Sequence, residues 1–238
     1  MVEYIQLFVG AFFAATLSGA AGFGGALLLL PLLVAVVGVS QAVPLLTVAQ
    51  FVGNMSRAAL GARHIQWKWV GWFLLGAIPA SWLGALWFVQ IPREWVTRAI
   101  GGAMLFYLIL NYLGVVKLHP STATMIVGGG VTGLLSGLIG SAGPLGAAIF
   151  LALGLPPVAY IASEATSALV MHGIKTLVYQ QYLNLDQAFW RLAVCLGVAM
   201  ILGSWLAQRL IKRIPREQFN RYVGVLLAAI TMYMLVHG

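Results

Sequence analysis

The sequence predicts an all-α integral membrane protein built from two inverted repeats, each a glycine-broken helical hairpin followed by three transmembrane helices. Three observations predict it. Hydrophobic residues make up 61% of the 238 residues and charged residues 8%, which leaves too little polar surface to coat a water-soluble globule of this size. Apolar runs separated by short basic gaps cover most of the chain, in lengths that suit spans of about 20 residues. The second half also repeats the first.

The repeat is read by comparing the chain with itself. At an offset of 118, Leu17-Ser-Gly-Ala-Ala-Gly-Phe-Gly-Gly25 falls on Leu135-Ser-Gly-Leu-Ile-Gly-Ser-Ala-Gly143. At an offset of 123, Ser81-Trp-Leu83 meets Ser204-Trp-Leu206 and Ile91-Pro-Arg-Glu94 meets Ile214-Pro-Arg-Glu217. The matches keep their order, so residues 1–117 and 118–238 are two repeats of one membrane domain.

The first half opens with an apolar stretch from Tyr4 to Val37. As one helix it would be about 51 Å long, against a hydrocarbon core of about 30 Å, so it must turn back. The break is placed at Gly19–Gly25, between arms near Tyr4–Ser18 and Ala26–Val37. Thr122–Leu138 and Leu145–Leu153 repeat the arrangement around Gly140–Pro144. The ordinary spans follow at about 42–61, 68–90 and 95–113, then 157–180, 187–210 and 216–236. Ile-Pro-Arg-Glu reads as a helix start, with proline in the first turn and glutamate at the positive dipole end. The opening segment carries Glu3 where a signal peptide would carry a base, and its internal counterpart places it in the mature fold.

Thirteen Lys+Arg against five Asp+Glu give a net charge of +8. The bases sit mostly in gaps between apolar runs, so they report topology and not nucleic-acid binding. A hairpin plus three crossings inverts the second half. With the Arg209–Arg221 cluster inside, nine bases lie on the cytoplasmic side and Arg93, Arg98, Lys175 and Arg191 lie outside. That bias favours a multi-pass protein of the cell inner (plasma) membrane with both termini outside.

The two breaks are expected to face one another inside the protein, because unwound backbone within a bilayer needs protein or a watery cavity around it. Helices restarting after Gly25 and Pro144 would aim free N–H groups and positive dipole ends into that space, which favours an anion. The competing reading is that these glycines only let helices pack closely. Candidate binding residues are Gly22, Phe23, Gly24 and Gly25 in the first break and Gly140, Ser141, Ala142 and Gly143 in the second. Gln50, Asn54, Thr166 and Ser167 can donate hydrogen bonds to oxyanion oxygens, or hold helices together. Arg57 and Lys175 occupy equivalent positions, each three residues after a polar one, Asn54 or His172. They could clamp an anion between the halves, or snorkel to the interface.

Glu164 is the one acid inside an apolar run, which makes it the candidate for a coupling proton. The alternative is that it pairs with His172 or Lys175, or reaches water. Cys195 reads as a packed thiol. Trp67, Trp69, Trp72, Trp87, Trp95 and Trp190 read as interfacial anchors against lipid.

The pattern Ser18-Gly-x-x-Gly-Phe-Gly-Gly25 followed by Pro31, its copy ending Gly140-Ser-Ala-Gly-Pro144, and Ala165-Thr-Ser-Ala168 with Lys175 and Tyr179 downstream resemble the TauE/SafE sulfite exporter family over essentially the whole chain. The resemblance implies a secondary transporter, an exporter of a small sulfur-containing or carboxylate anion such as sulfite, thiosulfate or a sulfonate, working without ATP hydrolysis. No cofactor, metal or nucleic-acid partner is expected. An anion channel, a non-transporting membrane subunit or an intramembrane enzyme are the alternatives. No nucleophile elbow, HExxH or phosphate loop supports an enzyme.

Overall fold

The computed structural model describes residues 2–21, 25–92, 95, 102 and 121–210. Among them the ordered structure is helical: α1 (Val2–Ala21), α2 (Gly25–Val37), α3 (Val39–Leu60), α4 (Trp67–Gln90), α5 (Thr122–Ile139), α6 (Gly143–Leu151), α7 (Pro157–Tyr182) and α8 (Gln187–Leu210), with one 3-10 turn at Ala62–His64. The expected third span of each half, 95–113 and 216–236, lies outside the described residues.

Both opening stretches are broken. α1 and α2 flank residues 22–24, so Gly22, Phe23 and Gly24 lie outside the described residues, while Gly25 begins α2. In the second half α5 ends at Gly140, whose left-handed backbone (φ 82°, ψ −23°) suits a residue without Cβ. Val43 of α3 also stands where that Cβ would go, 3.0 Å away. The helix restarts at Gly143, two residues earlier than expected, so Pro144 sits inside the first turn of α6. With 13 and nine residues, α2 and α6 reach only about 20 and 14 Å, too short to cross a bilayer core.

Three described segments have the length and apolarity of membrane spans: Trp67–Gln90, Thr122–Ile139 and Gln187–Ala207. α3 and α7 are as long but less apolar, because they carry Gln50, Asn54 and Arg57, and Glu164, His172 and Lys175. All six of these side chains are buried. The outer surface is apolar instead, with Phe13, Leu75, Val127, Leu177, Val194 and Trp205 exposed. Trp67, Trp87 and Trp95 are exposed near span ends, whereas Trp69 and Trp72 lie partly buried against Phe73 and Phe150, and Trp190 packs against the core around α8.

Helix pairing is reciprocal. α1 lies on α8 as α5 lies on α4; α3 meets α8 as α7 meets α4; α2 rests on α3 as α6 rests on α7; and α3 and α7 meet at the centre. Small residues permit the closest of these contacts. A Cβ on Gly129, Gly133 or Gly137 of α5 would run into the backbone of Phe73, Ala77 or Gly84–Ala85 on α4, and one on Gly203 of α8 into the backbone of α1 at Phe12. The repeated Ser-Trp pair follows this geometry: Ser81 and Ser204 are buried, while Trp82 and Trp205 face outward. Two apolar cores result, one among α1, α2, α3 and α8 and one around Phe73, Phe150, Tyr160 and Met171.

Candidate functional site

A cavity lies between the two cores, where the end of α1, the start of α2, the bend between α5 and α6 and the central helices α3 and α7 meet. Its wall includes Ser18, Gly25, Ala26, Gln50, Asn54, Arg57, Phe73, Thr132, Ser136, Ser141, Ala142, Gly143, Gly146, Phe150, Glu164, Ser167, Ala168, Met171 and His172. Helical spacing brings the polar groups there. Gln50, Asn54 and Arg57 follow one another at i, i+4 and i+7 on α3, and Glu164, Ser167, Met171 and His172 share a stripe of α7. α2 and α6 both start at the cavity, so their positive dipole ends face it.

Of the expected site residues, Gly25, Gln50, Asn54, Arg57, Ser141, Ala142, Gly143, Ser167, His172 and Glu164 line this cavity. Gly140, Thr166 and Lys175 do not. The Thr166 hydroxyl donates to the Ala162 carbonyl of its own helix at 2.7 Å. Gly140 sets the bend behind the cavity wall. Lys175 is turned toward the end of α5: its ammonium donates to Ser136 O at 3.2 Å, Ser136 Oγ at 2.8 Å and Gly140 O at 3.2 Å. Three donors meet three acceptors, so none is left for a ligand. The paired-cation clamp is thereby corrected, since only Arg57 lines the cavity. Snorkelling is also corrected, because both side chains are buried within the protein.

What Lys175 does is structural. The last carbonyls of a helix lack partners within it, and a cation there also meets the negative dipole end. Lys175 supplies both at the terminus of α5, and Tyr179 adds a hydrogen bond from its hydroxyl to Gly137 O at 3.1 Å. The bend of the second hairpin is therefore fastened to α7.

The remaining polar atoms in the wall are less well served. Arg57 spends Nη2 on Asn54 Oδ1. Its Nε and Nη1, the Gln50 amide nitrogen, Thr132 Oγ1, Glu164 Oε2 and His172 Nδ1 are buried and have no hydrogen-bond partner among the described residues. Glu164 pairs with neither His172 nor Lys175. Gly146 opens the space beside it: a Cβ there would lie 3.4 Å from the Thr132 methyl, 3.9 Å from Glu164 Oε1 and 4.0 Å from the tip of Phe73.

Several wall residues escaped the sequence reading. Ser18 and Ser136 stand at equivalent places in the duplicated glycine motif, and that duplication was the signal for them. Thr132, Gly146, Phe73 and Phe150 carry no such mark. Cys195, half-buried on α8, is not part of the wall.

Compared with known proteins, the chain matches the family model described as Sulfite exporter TauE/SafE over residues 7–234, nearly its whole length. Among curated proteins and among solved structures, none matches it.

Proposed function

Because the chain belongs to the TauE/SafE sulfite exporter family, a family of membrane transporters for sulfur-containing anions, we propose that it is a secondary transporter exporting a small sulfur-containing or carboxylate anion across the cell inner membrane. Sulfite, thiosulfate and sulfonates are the leading substrates, and the cavity between the hairpin breaks is the binding site. The observation that carries this reading is the set of buried donors without partners: two on Arg57, one on Gln50 and one on Thr132. Leaving a buried polar group unsatisfied costs about 1–3 kcal/mol. Four of them around one cavity are a cost that a guest bearing several acceptor oxygens removes. The starts of α2 and α6 favour the same sign of charge.

The reciprocal helix pairing supports two repeats, residues 1–117 and 118–238, and the distribution of Lys and Arg along the sequence supports their opposite orientation with both termini outside. Rocking of one repeat against the other then exposes the fixed site to each side in turn. Glu164 is the residue on which proton coupling would rest, being a buried carboxylate in the wall of the site.

Purified protein in proteoliposomes tests the assignment. Efflux of labelled sulfite or thiosulfate is expected to saturate with concentration and to fall at least tenfold in Arg57→Gln. Flux that follows the gradient without saturation would instead identify a channel. For coupling, Glu164→Gln is assayed across a pH range; a pH dependence unchanged from the parent removes Glu164 from that role.

A further inference from the structure

We infer that Glu164 selects the guest: the cavity takes a monovalent oxyanion that brings a hydrogen-bond donor of its own, an O–H or N–H set against Glu164 while its oxygens meet Arg57, Gln50 and Thr132. The inference rests on the cavity being the anion site, and it narrows the substrates named above: hydrogensulfite or a sulfonate bearing an O–H or N–H meets the requirement, whereas thiosulfate, an aprotic dianion near neutral pH, does not.

Besides His172, the wall holds one buried acid and one buried base, Glu164 and Arg57, that are not joined as an ion pair. Arg57 turns to Asn54, and Glu164 Oε2 has no partner. A fully deprotonated, aprotic anion would satisfy the free donors yet set oxygen against the Glu164 carboxylate with no proton between them. In a desolvated site that contact is repulsive. An anion carrying one donor satisfies both sides of the wall, because its oxygens accept from Arg57, Gln50 and Thr132 and its donor meets Glu164 Oε2.

Charge counting leads the same way. Lys175 touches the cavity-lining Ser136, so the formal charges within or next to the wall are those of Arg57, Lys175 and Glu164, each counted as ionised and His172 as neutral. They sum to a single positive charge, which a monoanion neutralises. A dianion would leave a buried net negative charge, which is costly. The space is also small: about 40 Å³ is open to the centre of a water molecule, and one water needs roughly 10–15 Å³ on that measure. A compact head group fits such a volume.

Sulfamate and methanesulfonate test this directly. Both are monoanions of nearly the same shape, and they differ in whether an NH2 or a CH3 is bonded to the SO3 group. Binding is measured by calorimetry on the purified full chain at one fixed pH, with sulfite as the reference anion. Sulfamate is expected to bind at least about tenfold tighter than methanesulfonate, the ratio a single hydrogen bond to a charged group supplies. In Glu164→Leu the ratio is expected to collapse to within about threefold, through weaker sulfamate and stronger methanesulfonate binding. Should the leucine variant fail to fold, Glu164→Met serves instead, since its flexible thioether fills a similar volume and offers no strong acceptor to the sulfamate N–H. Arg57→Gln is expected to lose both ligands. Equal binding of the two by the parent protein, or a ratio that survives at position 164, overturns the inference while leaving the anion site standing. The same holds if sulfite binds and neither probe does. Failure of all three anions to bind overturns the anion-site reading itself.

Discussion

Around the proposed anion site, single side chains divide into those expected to meet the guest and those that hold the wall, and the two kinds are expected to fail differently. Gly146 belongs to the first. A Cβ there makes ordinary contacts of 3.4–4.0 Å with Thr132, Glu164 and Phe73, so Gly146→Ala is expected to leave thermal stability in detergent unchanged while weakening anion binding several-fold by occupying the site. Lys175 belongs to the second. Lys175→Met removes the partner of two carbonyls and a hydroxyl at the end of α5, and each group left buried without one costs on the order of 1–3 kcal/mol. A marked loss of stability is expected, with the remaining folded protein still binding the anion; a variant as stable as the parent would refute the fastening role. Gly140→Ala is expected to be destabilising by about 1–2 kcal/mol from its left-handed backbone alone, before the approach of Val43 is counted. Sequence reasoning reached Arg57, Asn54 and Glu164 because polar residues in apolar runs stand out. It misjudged Lys175 because its partners Ser136 and Gly140 lie 39 and 35 residues away, and no local pattern announces a contact at that separation.

Helices here are shaped by what they must touch. α5 packs on α4 nearly backbone to backbone, with Gly129, Gly133 and Gly137 recurring every fourth residue along the contact. A methyl group on Gly133 would come 2.5 Å from the Ala77 carbonyl oxygen, so the helices must part. Gly133→Ala is expected to cost about 1–3 kcal/mol, measured as the midpoint of unfolding in mixed micelles, whereas Gly71→Ala on α4, with nothing near its Cβ position, is expected to be neutral. Equal effects at the two positions would refute backbone contact as the cause. The breaks and helix bounds were legible because glycine, proline and excess apolar length leave direct marks in a sequence. Which helix lies on which was not, since α4 and α5 are both apolar all round and their pairing depends on glycine spacing read in two segments together. For the same reason Phe73, Thr132 and Phe150 could not be assigned to the cavity: each occupies an ordinary core position on a helix whose neighbours the sequence does not name.

For the molecule as a whole, the proposed inverted arrangement places His64, just before α4, and Gln90, its last residue, on opposite faces of the membrane. Reporter fusions at these positions are expected to give opposite signals, and identical signals would refute that topology. Duplication was plain in the sequence, yet its mechanical meaning was not, because a repeat in sequence does not say whether its copies fold side by side or through one another. Among the described residues the first arm of each opening hairpin leans on the other proposed repeat, α1 on α8 and α5 on α4, while the second arms, α2 and α6, rest on α3 and α7 of their own. Neither repeat is thus expected to fold alone. Produced alone, residues 1–117 would leave the face of α1 at Phe12, Ala15 and Thr16 without α8, and residues 118–238 would leave the glycine face of α5 without α4. Co-production of the two fragments is expected to restore a stable, anion-binding complex, while either fragment by itself is degraded.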